Sequence, residues 1–446
     1  MRNKTQTFIT AAVLVGALMS ACPRAGAQQA TGRMSLPAPT GTYGVGRTDY
    51  ALIDASRPEP MATTPGAQRR IMVYVWYPTD RKATQGVKTV SYLPEFDQVL
   101  PKLTPDDVSD MFRPSTFRGI DLLPQSDVVG NAPIAPGKQL FPLLLFSHGW
   151  GNPTFLYTAE LEDIVSHGYI VVAVDHPYDT TYTRFPDGNV ILFAQDRFDK
   201  ETKKPNGLSN YAKERVEVMG DDNKFALTEI LRYAKTRSLH APFYNRINEH
   251  EIGAFGHSIG GLASARTCQV DTRVNACMDQ DSDDGRGSPF IVTPLDQTEK
   301  QPFLLFVVAS ADLWSPATVN PSDAALAAQK MTRPDYMAML KNHQTTETDQ
   351  LAGIPGGSYR VMLFGLPGFI HRSFTDQTLL DFSGDKQGDK FHNFQVAQAY
   401  ILAFFDKHLK GEQNTVLDSQ TPIDPRAKVE RFPAHSPAQA PGSSAK

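Results

Sequence analysis

Runs of apolar residues alternate along the chain with stretches that have helical periodicity. Residues 141–146 (FPLLLF) are all apolar, which is typical of a strand buried on both faces of a parallel sheet. The same reasoning predicts strands at 71–77, 169–174, 252–255, 274–278, 303–308 and 359–364, and helices at 155–166, 209–237, 258–267 and 391–409. This alternation predicts an α/β fold: a mostly parallel central sheet with helices on both faces.

The flanking segments differ in composition from this alternating region. Residues 28–66 are rich in Pro, Gly, Ala and Thr, which predicts an irregular lead-in, and residues 412–446 have the Pro-, Ser- and Ala-rich composition of a disordered tail. We therefore expect one domain over 67–411, with insertions at about 93–138 and 313–357.

The N-terminus has the organisation of a secretory signal peptide. Arg2 and Lys4 precede a mostly apolar run of 12 residues, 8–19, which is too short to span a bilayer. A small-residue cleavage site at 25–27 predicts removal of residues 1–27 and a secreted or periplasmic protein. The alternative is a lipoprotein signal, LMSAC, with the lipid on Cys22.

Charge and cysteine content narrow the function classes. The formal net charge of −4 becomes −7 once residues 1–27 are removed, and no basic block argues for a nucleic-acid partner. Cys268 and Cys277 remain, either as a disulfide or as two buried thiols. The chain contains no CxxC, HExxH or phosphate-loop motif, so we expect neither a metal nor a cofactor.

The strongest chemical signal is Gly256-His257-Ser258-Ile259-Gly260. It fits G-x-S-x-G, in which a nucleophilic serine stands on a strained turn between a strand and a helix. The predicted strand 252–255 and helix 258–267 supply that context. We therefore predict that Ser258 is the nucleophile of an acyl-transfer site, against the alternative of a tight turn with a structural serine.

A second signal, FSHGWG at 146–151, directly follows the apolar strand. Acyl transfer needs two N–H donors for the oxyanion: one from the residue after the nucleophile and one from a loop earlier in the chain. These positions predict the backbone N–H groups of Ile259 and Trp150 as the donors. A purely structural turn is the alternative for this loop.

The base is predicted from chain order. In α/β hydrolases the order is serine, acid, histidine, and His371 comes after the last predicted strand and before the closing helix.

The segments FSHGWG, GHSIGG and GFIHRSFTD, in this order, resemble the platelet-activating factor acetylhydrolase family (the plasma and intracellular type II branch), over roughly residues 70–410. The resemblance implies an α/β-hydrolase fold and calcium-independent hydrolysis of short or oxidised sn-2 acyl chains of phospholipids. It also implies catalytic roles for Ser258 and His371, with Trp150 and Ile259 at the oxyanion.

Two positions compete for the acid. Asp312 follows the strand at 303–308, where many α/β hydrolases place the acid, whereas the resembled family places it after the preceding strand, at Asp281. We favour Asp281. Asp279 is a weaker option because strand alternation puts it on the same face but deeper.

The sequence thus predicts a serine esterase of small ester or phospholipid substrates. A phospholipid substrate would bring the enzyme into transient contact with a membrane or lipoprotein surface. A general carboxylesterase or polyester hydrolase of the same fold is the alternative, and a non-catalytic binding protein is the distant one. No residue pattern indicates an oligomeric state.

Overall fold

The computed structural model describes residues 35–111, 123–282, 301–308, 323–328, 331–380 and 387–434. Its strands are β1 (Gly44–Pro58), β2 (Gln68–Thr79), β3 (Val128–Gly130), β4 (Phe141–Ser147), β5 (Ile170–Asp175), β6 (Tyr182–Arg184), β7 (Val190–Leu192), β8 (Ile247–His257), β9 (Ala276–Gln280), β10 (Phe303–Val307), β11 (Ser358–Met362) and β12 (Lys428–Phe432).

Ten of these strands form one sheet, in the order β12-β11-β10-β9-β8-β4-β5-β2-β1-β3, while β6 and β7 form a separate hairpin. The pairs from β5 through β4, β8, β9 and β10 to β11 are all parallel. Among the described strands of this sheet, the antiparallel pairs are β1 with β2, β2 with β5, and β11 with β12. A mostly parallel sheet of this kind confirms the predicted fold class.

The helices pack on both faces of the sheet. They are α1 (Arg81–Thr84), α2 (Phe96–Val99), α3 (Pro105–Met111), α4 (Thr158–Ser166), α5 (Gln195–Thr202), α6 (Gly207–Lys235), α7 (Ile259–Val270), α8 (Asp323–Ala328), α9 (Arg333–Gly353), α10 (Asp376–Leu379) and α11 (Gln387–His408). Short 3₁₀ turns lie at Leu100–Lys102, Thr154–Tyr157, Arg237–Leu239 and His371–Phe374. Of the described helices, none is both long and apolar enough to cross a membrane.

The side chains of β4 show how the core is divided. Leu144 and Phe146 join residues of α4 and α11 in one hydrophobic cluster, whereas Leu143 and Leu145 join residues of α6 in another. Successive strand residues point to opposite faces, so both faces of β4 are covered. This explains why all seven residues of this strand are buried.

The segment predicted as an irregular lead-in contains the 15-residue strand β1. Its sequence, GVGRTDYALIDASRP, is too polar and too rich in Gly and Asp to indicate a strand on its own. The strand forms because β2 pairs with it along most of its length, from Gly44 opposite Thr79 to Asp54 opposite Arg69. Tertiary pairing therefore overrides local composition here.

The predicted disordered tail also requires correction. Residues 412–434 are part of the described structure, and β12 within them pairs antiparallel with β11. The buried Leu417 and Ala427 belong to the main hydrophobic cluster, with Val429 packed against it, so this segment adds the edge strand of the sheet. Residues 1–27, with the predicted signal peptide, and residues 435–446 lie outside the described part of the chain.

The predicted insertion 313–357 includes the 21-residue helix α9. The helix begins with a capping box, in which the Thr332 hydroxyl accepts the Asp335 N–H and the Asp335 carboxylate accepts the Thr332 N–H. Near its C-terminal end, Leu351 is buried in the cluster on the α6 face of the sheet. The helix is therefore part of the packed core.

Candidate active site

Ser258 stands on a sharp turn between β8 and α7. Its φ is 57° and its ψ is −126°, a backbone conformation that residues with a side chain rarely adopt. A Cβ added at Gly256 would overlap the carbonyl of Gly260, and one added at Gly260 would overlap the carbonyl of Ser147. Both glycines of the motif are thus required by close backbone packing, and the strained turn holds a half-buried serine at the carboxyl end of the parallel strands.

The loop after β4 is fixed by backbone hydrogen bonds. The Gly149 N–H donates to the Tyr157 hydroxyl at 2.9 Å, and the Gly151 N–H donates to the Asp179 carbonyl at 2.8 Å. The Gly149 carbonyl accepts the Asn152 N–H at 3.2 Å. The backbone on either side of Trp150 is therefore held in place.

Two N–H groups beside this turn remain available. Across the residues that the structure describes, no hydrogen bond involves the backbone N–H of Trp150 or of Ile259. Ile259 is the first residue of α7, where N–H groups lack partners within the helix and the helix dipole favours negative charge. The two groups that the sequence predicted as oxyanion donors are thus free to donate.

The buried ring of His148 holds the same loop in place through two hydrogen bonds. Its Nε2 accepts the backbone N–H of His176 at 3.1 Å, so the proton of the neutral ring lies on Nδ1, which donates to the Gly149 carbonyl at 2.9 Å. Burial lowers the pKa of His148 to about 4, which keeps the ring neutral at physiological pH. Its place in the loop is therefore structural.

The structure brings His371 and Asp281 together. The Nδ1 atom of His371 lies 2.7 Å from Oδ2 of Asp281, while Oδ1 of Asp281 accepts the backbone N–H of Val308 at 2.6 Å. Asp281 is fully buried, whereas the His371 side chain is 37% exposed. A carboxylate bonded to Nδ1–H leaves Nε2 as the proton-accepting nitrogen of the ring.

Of the two competing acids, the structure describes Asp279. Asp279 accepts the backbone N–H of Ser282 at 3.0 Å and its hydroxyl at 2.5 Å, and its carboxylate packs so closely on Gly261 that a Cβ there would overlap it. It therefore ties the end of β9 to the first turn of α7. Asp312 lies outside the described residues.

His257, which precedes the serine, has two buried partners. Its Nδ1 lies 2.9 Å from the Tyr157 hydroxyl, and its Nε2 lies 2.9 Å from the backbone carbonyl of His371. Burial, and secondarily the nearby His371 ring, hold its pKa well below the ordinary value. Nothing in the sequence indicated the contacts of His257 with the His371 loop and with Tyr157.

An aromatic wall stands on the other side of the turn. The Trp150 ring stacks on Tyr211 with centroids 5.9 Å apart and meets the Phe198 ring edge-on at 5.3 Å. Its Nε1–H donates to the Asp179 carboxylate at 3.3 Å, which is also held by Arg215 of α6 at 2.7 Å. Arg215 and Asp179 are buried, and no motif identified this ion pair, because its members come from separate elements.

The same indole closes an apolar cluster beside the serine. The cluster contains Ile259 and Leu262 of α7 and Val216 and Met219 of α6. Because Ile259 directly follows Ser258, this buried hydrophobic cluster lies next to the nucleophile, with the partly buried Trp150 packed against it.

A cavity of about 250 Å³ lies beside the His371 loop and is lined by Phe369, Ile370, Ser373 and Asn393 among others. Within the described ranges, no group of three or more His, Cys, Asp or Glu side chains is placed to hold a metal ion.

Comparisons with known proteins point to one family. A family model described as platelet-activating factor acetylhydrolase, isoform II, matches residues 28–190. A probable 1-alkyl-2-acetylglycerophosphocholine esterase of Arthroderma benhamiae is 28% identical over 309 residues, which are 67% of this chain and 70% of that one. The platelet-activating factor acetylhydrolases of Canis lupus familiaris and Cavia porcellus are 27% and 24% identical over 32% of this chain and 35% of theirs.

A solved structure shares the fold. The ferulic acid esterase from Streptomyces cinnamoneus superposes with a TM-score of 0.58 over 89% of this chain and 99% of that one, at 21% sequence identity. This likeness shows an α/β-hydrolase fold. The family match and the curated relatives confirm the resemblance that the three motifs predicted: the chain is similar to the platelet-activating factor acetylhydrolases.

Proposed function

We propose that this chain is a serine esterase that hydrolyses short-chain carboxylic esters through an acyl-enzyme on Ser258. One observation carries the proposal: the pair of His371 and buried Asp281, 2.7 Å apart, in a fold whose strained turn presents Ser258. The names of the relatives, which are acetylhydrolases and an acetylglycerophosphocholine esterase, support the same chemistry.

Acylation begins when the Ser258 hydroxyl attacks the ester carbonyl carbon and His371 Nε2 takes its proton. Asp281 holds Nδ1–H and stabilises the imidazolium that forms. When the tetrahedral intermediate collapses, the bond to the leaving alcohol breaks, and His371 returns the proton to that oxygen. Water then attacks the acyl-enzyme with His371 as base again and releases the carboxylic acid.

The negative charge on the tetrahedral intermediate needs two donors. The free N–H groups of Trp150 and Ile259 fill this role in the proposal. Removing one such donor typically costs about 100- to 1,000-fold in turnover, so the rigid bracing of the loop by His148 and Tyr157 has a catalytic purpose.

The substrate class that we propose is the short or oxidised sn-2 acyl ester of a phospholipid. The names of the relatives favour it over a general carboxylesterase or polyester hydrolase. The bulky Trp150 wall next to Ile259 favours short acyl groups.

We predict that hydrolysis of p-nitrophenyl esters falls as the acyl chain lengthens from acetyl to palmitoyl. The mature protein is also tested on a phosphatidylcholine with an sn-2 acetyl group and on its sn-2 palmitoyl counterpart. A rate that rises steadily with chain length would contradict the short-acyl proposal, and hydrolysis of simple esters alone would favour the carboxylesterase.

The nucleophile is tested with Ser258→Ala. The variant keeps the fold because the hydroxyl makes no hydrogen bond to any other described residue. We predict that its turnover falls by several orders of magnitude, about the loss that follows removal of a triad member, with an unchanged melting temperature. Near-normal turnover would disprove the role of Ser258.

A fluorophosphonate probe distinguishes an esterase from a binding protein that kept the fold. The probe labels an activated serine, so the wild type becomes labelled at Ser258 and Ser258→Ala does not. A wild type that resists labelling favours the non-catalytic alternative.

We also propose that the protein is secreted or periplasmic after cleavage near Ala27. The proposal rests on the composition of residues 1–27. N-terminal sequencing of the mature protein tests it: a chain that starts at Gln28 supports a signal peptide, whereas one that starts at a lipidated Cys22 supports the lipoprotein.

A further inference from the structure

A chain of three hydrogen bonds, two of them buried and the third partly buried, lies beside the candidate active site. It starts at the Gly149 N–H, passes through the Tyr157 hydroxyl to the His257 ring, and ends at the backbone carbonyl of His371. Each of its three donor–acceptor distances is 2.9 Å. The loop beside Trp150, the turn at Ser258 and the loop of His371 are thereby connected, although more than 200 residues separate the two ends.

The chemistry of the end groups sets the direction of every bond. A carbonyl oxygen only accepts, so His257 Nε2 carries the hydrogen that points at His371. A neutral ring then accepts on Nδ1, and the Tyr157 hydroxyl donates to it while accepting the Gly149 N–H. The network fits a single tautomer of a neutral ring, and burial holds the pKa of His257 well below its ordinary value, which keeps the ring neutral.

We infer that His257 is a positioning residue for the base. Its Nε2–H fixes the backbone of His371, and its Nδ1 couples the His371 loop, through Tyr157, to the loop at Gly149. The inference rests on the proposed function, because it assigns His371 and the loop at Gly149 their parts in ester hydrolysis. It gives the second residue of the G-x-S-x-G segment a task of its own in this chain.

The position of His371 explains why a backbone anchor is needed. His371 begins a short 3₁₀ turn outside the sheet, and its side chain is partly exposed. Asp281 fixes one ring nitrogen, but the ring also turns with its backbone, and an error of about 1 Å in such a group can cost about 100-fold in rate. A hydrogen bond to the carbonyl of the same residue removes that freedom.

The absence of charge on His257 also matters when His371 takes up a proton. The two rings lie 4.4 Å apart between centroids, so a cation at His257 would oppose formation of the His371 imidazolium. A buried neutral ring provides the donor without that repulsion.

Two substitutions at His257 separate the two ends of the network. An asparagine amide ends near the place of Nδ1, so His257→Asn keeps a partner for Tyr157 and loses the bond to His371. A glutamine amide reaches the place of Nε2, so His257→Gln keeps a donor for the His371 carbonyl. We expect His257→Asn to lower kcat by about 10- to 100-fold with little change in KM, and His257→Gln to stay within about fivefold of wild type.

A pair of tyrosine variants controls for lost packing. Tyr157→Phe removes the link to both loops, whereas Tyr77→Phe removes a comparable buried hydroxyl, which donates to the Ala132 carbonyl at 2.8 Å on another part of the sheet. We expect both to lower the melting temperature, and Tyr157→Phe alone to lower kcat and the rate of fluorophosphonate labelling at 25 °C.

The outcomes separate this inference from the proposed function. A wild type that hydrolyses esters, with His257→Asn far slower than His257→Gln at temperatures where both are folded, supports the positioning role. Equal rates for the two variants, or losses that follow melting temperature alone, overturn it and leave the esterase intact. A wild type that neither labels nor hydrolyses overturns both.

Discussion

Asp281 shows how a single residue serves the site through its backbone as well as its side chain. Its φ of +64° turns the chain sharply at the end of β9, and its two oxygens bind His371 and Val308. Positive φ at a residue with a side chain is costly and concentrates at functional positions. Motifs predicted Ser258 and His371, and the family resemblance favoured Asp281, but the contact between Asp281 and His371 depends on strand order, which local pattern does not show.

We predict that Asp281→Asn lowers turnover by up to about 10⁴-fold, because an amide opposite Nδ1 favours the wrong tautomer of His371. Its stability should change little, since the amide oxygen still accepts the Val308 N–H. Asp312→Asn should stay close to wild type in both turnover and melting temperature. The measurement is kcat for both variants beside thermal unfolding, and a crippled Asp312→Asn with an active Asp281→Asn would refute the assignment.

At the scale of elements, strands that are buried on both faces were predictable from the sequence, whereas the more polar strands β1 and β12 were not. The run FPLLLF of β4 indicates a strand by itself. By contrast, β1 and β12 carry Arg, Asp, Lys and Glu, and each is ordered by antiparallel pairing, β1 with the next strand β2 and β12 with the sequence-distant β11. The same reason hid the links of Tyr157 and His257, which depend on long-range contacts rather than on local pattern.

A disulfide joins two elements beside the site, helix α7 and strand β9. Cys268 near the end of α7 is bonded to Cys277 of β9, nine residues later, so it ties the helix that follows Ser258 to the strand that leads to Asp281. Both residues are buried. The sequence alone left a disulfide and two free thiols as alternatives, and the structure forms the bond.

We predict that reduction lowers the free energy of unfolding by about 3 kcal/mol, the chain-entropy contribution of a loop of roughly ten residues. Urea unfolding of the wild type with and without a reductant measures it, with alkylation and mass determination to confirm the thiol state. Comparing the two redox states of one sequence avoids the cavities that Cys→Ala would leave. Equal unfolding free energies would show that the bond adds nothing to stability.

For the whole molecule, the strand order brings the separate chemical groups together. The loop at residues 149–151, Ser258 and Asp281 follow β4, β8 and β9, which are consecutive along the sheet in the order β4, β8, β9. His371 follows β11, two strands beyond β9, and Val308, directly after the intervening β10, donates the N–H that holds Asp281. Parallel strands end at the same edge, so a single sheet aligns groups that are more than 200 residues apart.

The packed interior also contains carboxyl groups whose pKa is raised by burial. Burial raises the pKa of both Glu160 and Glu162 in α4 to about 8. A carboxyl with a raised pKa binds its proton more tightly in the folded chain, so its stabilising effect is complete below the ordinary pKa of 4.5 and is lost as pH rises through 8. Buried His148, whose pKa is lowered, acts in the opposite sense but only below its ordinary value of 6.5. Above pH 7 His148 therefore adds nothing to the slope, and both glutamates lower the free energy of unfolding as the pH rises to 9.

We predict that the unfolding free energy falls from pH 7 to pH 9, by at most about 1.4 kcal/mol per pH unit for each glutamate. Glu160→Gln should reduce that slope, because a neutral amide keeps an oxygen for the Gln280 side-chain N–H that Glu160 accepts at 2.5 Å and has no proton to lose. Glu412→Gln is the matched control on the exposed surface, and it should leave the slope unchanged. Urea unfolding at pH 7, 8 and 9 measures all three proteins.

Because Gln280 also accepts the Ser258 N–H through its carbonyl at 3.0 Å, loss of fluorophosphonate labelling should accompany the alkaline destabilisation in the wild type. In Glu160→Gln this loss should begin at a higher pH. Parallel slopes for wild type and Glu160→Gln would show that Glu160 is already ionised in the folded protein.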